Sequence, residues 1–131
     1  MTKKVLGNLG ENLITELLKA QGWQILATQW HCRFGELDIV ACDRRWLIFI
    51  EVKTRSVNNW DLNGALAITK SKQRKIYLAA LKFLELNPHL ANLSCRFDVA
   101  LVVNQLNTSQ NIDTNLVLYD YIESAFNGEG L

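Results

Sequence analysis

The chain has 131 residues, 49% of them hydrophobic and 21% charged, with a formal net charge of +1. That length suits one domain with a real core, and that composition excludes a disordered chain. No apolar run reaches the roughly 18 residues a membrane span needs, and near-neutrality means any polyanion-binding charge must be concentrated locally.

The opening MTKKVLGNLGENL is basic, but Asn8, Glu11 and Asn12 interrupt any signal-peptide core, so a cytoplasmic location with no membrane partner is expected. Residues Lys4 to Gln21 read as an amphipathic helix. Leu6, Leu9, Leu13 and Leu17 recur at helical spacing, Ile14 and Leu18 widen the stripe, and Gly22 supplies a stop. WQILATQWHC follows as a strand. GELDIVACD and WLIFIEVKT are two more, separated only by Arg44 and Arg45. Their near-continuous hydrophobicity predicts a sheet covered on both faces. RSVNNWDLNGALA has the composition of a loop, with Trp60 better suited to local packing than to stacking on a base.

A second helix is expected from about Thr69 to Leu86, ending before Pro88. CRFDVALVV and NLVLYDYI are the last two strands, around the polar loop NQLNTSQNIDT. The order is α-β-β-β-α-β-β, a mixed α/β domain of about five strands spanning 1–131 without repeat or boundary. Cys32, Cys42 and Cys95 are odd in number and lack CxxC spacing, so they read as reduced structural thiols.

Charge collects at one strand end. IFIEVKTR finishes with Glu51, Lys53 and Arg55 at every second position. With a hairpin turning at Arg44 and Arg45, Val40 faces Phe49, Asp38 faces Glu51 and Glu36 faces Lys53, the four charged residues sharing one face. Arg-Arg is a poor two-residue turn, and a bulge would shift the register by one. Opposed carboxylates repel unless a cation lies between them. A hard dication such as Mg²⁺ suits the pair, with oxygen ligands from Asp38, Glu51 and the backbone carbonyl of Val52. Lys53 beside it would contact a phosphate or position the attacking water, the equipment of metal-assisted phosphodiester hydrolysis. The competing interpretation is rim ion pairs, Glu36 with Lys53 and either acid with Arg55, each typically worth about 0–1 kcal/mol. Both acids, however, emerge from hydrophobic strands, where ionisable groups are enriched at functional sites.

GELDIVACDRRWLIFIEVKTR resembles the Asp…(Glu)-x-Lys signature of the restriction-endonuclease-like superfamily, the PD-(D/E)xK nucleases. More closely, it is similar to the YraN-like family of small bacterial proteins regarded as endonucleases. The likeness continues through GNLGENL, GALAITKSKQRK and CRFDVALV. It implies a restriction-endonuclease-like core and a metal-dependent endonuclease acting on DNA, branched or junction DNA included, with Mg²⁺ or Mn²⁺ as cofactor. In that family pattern Asp38 and Glu51 bind the metal and Lys53 assists catalysis. Glu11 occupies the place of a first-helix glutamate that often joins the site, and Leu37 replaces a loosely kept proline.

Lys70, Lys72, Arg74 and Lys75 open the second helix against its dipole, which points to phosphate contact. Together with Lys53 and Arg55 they are expected to form one DNA-facing strip, Lys72 being the best match to the family pattern. The alternative function is a non-catalytic nucleic-acid-binding module with the same fold. A junction-cutting enzyme needs two symmetric sites, which a two-fold homodimer supplies. Arg96 and Asp98 read as a structural ion pair, and His31 has no nucleophile constellation around it.

Overall fold

A computed structural model of the chain describes residues 2–56, 67–105 and 114–127. Helix α1 (Lys3–Ala20) starts at Thr2, whose Oγ1 accepts the Val5 N–H at 3.1 Å, and stops before Gly22, which adopts φ +96°. Strands β1 (Gln24–Cys32), β2 (Gly35–Cys42) and β3 (Trp46–Ser56) follow. Helix α2 (Lys70–Leu86) is capped by Thr69, and a 3₁₀ turn at Pro88–Leu90 leads to β4 (Ser94–Asn104) and β5 (Leu116–Phe126). The strands form one sheet in the order β1-β2-β3-β4-β5. Only the β3–β4 step is parallel, and α2 lies in that connection, as a parallel crossover requires.

The expected order of elements is the observed one. Two strand ends differ by more than one residue. β3 continues through Arg55 and Ser56, which composition assigned to a loop, because its parallel pairing with β4 runs on to Ser56↔Asn104. β5 extends from Ile122 to Phe126, where the Phe126 ring stacks on Phe97 at 5.0 Å. Trp60, residues 64–66 of the GALAITKSKQRK stretch and residues 106–113 of the polar loop lie outside the described residues.

The sheet is covered on both faces. Leu37, Val40, Leu47 and Phe49 pack with Ile76 and Phe83 of α2, while Ile39, Ala41, Ile48 and Ile50 pack with Ile14 and Leu18 of α1. α1 packs tightly on the sheet at Gly10, where a Cβ would collide with Thr54 Oγ1. The β2–β3 hairpin keeps the predicted register from Cys42↔Leu47 to Ile39↔Ile50. Arg44 and Arg45 can turn there because Asp43 Oδ1 accepts the N–H groups of Arg45 and Trp46 at 2.8 and 2.6 Å.

The Arg96–Asp98 pair is also present and is part of something larger. Asp98 is fully buried, receives two guanidinium bonds of 2.9 Å, and accepts the Tyr121 hydroxyl at 2.6 Å and the Ser124 N–H at 3.0 Å. Arg96 also lies 5.6 and 5.4 Å from the rings of Trp23 and Trp46. This network ties β4 to β5, with Asp98 level with Ile50 in the β3–β4 ladder.

Candidate active site

The predicted hairpin register stops one pair short of the acids. Beyond Ile39↔Ile50 the strands part, and Asp38 Oδ2 accepts the Val52 N–H at 2.8 Å in place of a ladder bond. Glu36 and Lys53 consequently do not face each other. Lys53 Nζ donates to the Ala67 carbonyl at 2.6 Å, whereas Glu36 turns towards His31, 3.9 Å away. The fork between β2 and β3 opens into a cleft of about 990 Å³ that runs beneath α1.

Three carboxylates converge in the fork. One oxygen each from Glu11, Glu36 and Asp38 lies within 4.8 Å of the others. Glu11 reaches the group because Gly10 lets α1 settle against Thr54, one residue earlier on the helix. Glu51 lies beside Asp38, within reach of a hydrogen bond to it, and is buried and ion-paired with Lys72 Nζ at 2.6 Å. It still acts on Asp38 electrostatically: burial first, then the Glu51 charge, pushes the Asp38 carboxyl up to about 9, against the Val52 N–H that lowers it. Burial likewise raises Glu11, although Gln29 and Asp38 hydrogen bonds oppose the shift.

The lysines divide differently from the expected strip. Burial, and then Arg55, lower Lys53, while for Lys72 the Glu51 hydrogen bond and charge outweigh burial and raise it. Lys72 and Lys75 line the α2 side of the fork, with Arg55 on the rim of the main cleft. Lys70 instead lines a second cavity with Arg96 and Phe97. Arg74 is exposed on α2. The helix winds about 100° per residue, so four cations in one run cannot face one groove.

Two residues at the site escaped sequence reasoning. Gln29 Nε2 donates to Asn8 Oδ1 at 2.6 Å and to Glu11 Oε2 at 2.8 Å, linking β1 to α1. Neither residue belongs to a periodic pattern. Counting back from a short turn after Cys32 would have set Gln29 opposite Asp38, the one signal available.

The chemistry of this donor set fits a hard cation. Three carboxylates that repel one another, one of them pushed up to about 9, make an all-oxygen donor set of the kind a hard dication suits.

Comparison with known proteins finds relatives that cover most of the chain. The profile of a family described as "Uncharacterised protein family UPF0102" matches residues 10–102. A "UPF0102 protein" from Synechococcus sp. (strain JA-3-3Ab) is 48% identical over 120 residues, covering 92% of this chain and 88% of that protein. A relative from Thermosynechococcus vestitus is 52% identical over 101 residues, 76% of this chain and 82% of its own length. One from Nostoc sp. is 43% identical over 130 residues, 92% and 93% of the two chains.

Proposed function

The chain belongs to the uncharacterised family UPF0102, and for it we propose a metal-dependent endonuclease that hydrolyses phosphodiester bonds in DNA on a restriction-endonuclease-like core. The observation that carries this reading is the fork at Asp38. Carboxylates are gathered there at an energetic cost that only protons or a cation remove, with Arg55, Lys72 and Lys75 beside them. The similarity of GELDIVACDRRWLIFIEVKTR to the nuclease signature supports the same reading.

In this proposal Asp38, Glu11 and Glu51 hold Mg²⁺ or Mn²⁺, with the Val52 carbonyl as a further oxygen and Glu36 alongside. The ion supplies a water of lowered pKa and positive charge at the phosphate. The chain's own groups do the rest. Lys53 and Lys72 flank Glu51 and stabilise negative charge gathering on the phosphoryl oxygens. The water oxygen bonds to phosphorus, the bond to one ester oxygen breaks, and that oxygen leaves with a proton. Arg55, Lys75 and the outer cations of α2, Lys70 and Arg74, hold neighbouring phosphates. Branched DNA would call for two such sites, which a two-fold homodimer provides.

The test is incubation of the purified chain with linear, nicked and branched DNA in Mg²⁺ or Mn²⁺. Cleavage that Asp38→Ala abolishes is expected. No cleavage of any substrate, or cleavage equal in Asp38→Ala, overturns the nuclease reading. Salt-dependent DNA binding without cleavage would favour the second reading, a nucleic-acid-binding module, which the engagement of Lys72 with Glu51 supports.

A further inference from the structure

We propose that Gln29, in a left-handed backbone conformation, is a positioning residue that aims the Glu11 carboxylate into the acidic fork. The inference rests on the nuclease reading above. Gln29 has φ +48° in the middle of β1, a region that side chains with a Cβ rarely adopt and that persists only where surroundings impose it.

The strand pairing shows what this conformation achieves. Thr28 pairs with Ile39, which packs on the α1 face of the sheet, whereas Trp30 and its partner Leu37 pack on the α2 face. Residues two apart in a strand ordinarily share a face. The alternation is therefore broken between 28 and 30, and equally between 37 and 39 across the ladder. Gln29 and Asp38 are the opposed residues at that break. A regular strand would send the Gln29 side chain to the α2 side, with Val40 and Ala27. The left-handed residue sends it instead to α1, where its amide holds Asn8 and Glu11.

The amide suits the task. It donates to Glu11 without cancelling its charge, so the carboxylate is oriented and remains available as a ligand. Lysine or arginine in its place would occupy that charge. The same distortion accompanies the departure of Asp38 from regular pairing, so one residue is linked to the placement of two acids.

The experiment uses the full chain with Gln29→Gly and Gln29→Met. Glycine accepts the left-handed backbone and removes the amide, while methionine keeps the reach and the strain without the amide. Metal-free melting temperature, Mn²⁺ affinity by electron paramagnetic resonance, and DNA cleavage are read for each. Both variants should lose at least about tenfold in Mn²⁺ affinity, the usual effect of removing a group that orients a ligand. Gln29→Gly should melt close to wild type and Gln29→Met below it. Wild-type Mn²⁺ affinity in Gln29→Gly overturns the inference, as does an affinity loss that tracks melting temperature through both variants. Should those results accompany normal wild-type cleavage, the nuclease reading stands and only the role of Gln29 falls. Wild type that neither binds Mn²⁺ nor cuts DNA removes both.

Discussion

A carboxyl group raised to about 9 by burial and by Glu51 carries a proton at neutral pH unless another cation cancels its charge. The folded-state value of Asp38 lies above the unfolded value of about 3.9, so between these limits the native chain binds one more proton than the unfolded chain. Its contribution to stability is full below the lower limit and is lost as pH rises through the upper one. Glu11 is shifted in the same direction and adds to the slope. Metal-free protein should thus lose thermal stability between about pH 5 and about pH 9, and Asp38→Asn should flatten the curve and melt higher at about pH 8. Melting scans in chelator check this. Parallel curves for the two proteins would mean that Asp38 is already ionised and the fork is wetter than its geometry indicates. Added Mn²⁺ should raise the wild-type melting temperature at alkaline pH, because binding to the native state alone is stabilising by mass action.

At the level of elements, the placement of Glu11 depends on how closely α1 approaches β3. Gly10 stands against Thr54, whose Oγ1 is buried without a hydrogen-bond partner among the described residues. Gly10→Ala should displace the helix and cost about 1–3 kcal/mol, as overpacking does, and Thr54→Ala in the same chain should restore part of it. Urea unfolding of the single and double variants measures both; a Gly10→Ala chain as stable as wild type would show that the helix seat is not tight. The element order, the two-sided core and the hairpin register as far as Ile39↔Ile50 were legible in sequence because each follows from local periodicity. Asp43, unremarked in the turn, was what made Arg44 and Arg45 acceptable there. The fate of the charged side chains was not legible. Lys53 answers to a backbone carbonyl at Ala67, and Glu51 to a lysine from a helix packed across the sheet. Both partners are fixed by tertiary placement. The reversal of facing at Gln29 was hidden for another reason: propensity carries no mark for a single left-handed residue inside a strand.

Over the whole molecule, a net charge of +1 conceals a sorted surface. Acids collect at the fork, cations stand on its rim, and the buried Asp98 network lies between β4 and β5. Among the described residues no helix is long and apolar enough to cross a membrane. If DNA runs from the main cleft, lined by Arg55, past Asp38 into the adjoining cavity lined by Lys75, its phosphates meet both cations, while Lys70 lines a cavity that shares no residue with either. Each phosphate contact contributes about 0.9 to the slope of log affinity against log salt on duplex DNA. Arg55→Gln and Lys75→Gln should each lower that slope by about one, and Lys70→Gln should leave it unchanged. Fluorescence anisotropy across a salt series, in Ca²⁺ or chelator to suppress cutting, gives the three slopes. Lys72 is unsuitable for this comparison because its removal also strips Glu51 of its counter-ion. Equal reductions for Lys70 and Lys75 would mean that the nucleic acid wraps α2 rather than following the cleft, and the path past Asp38 would have to be redrawn.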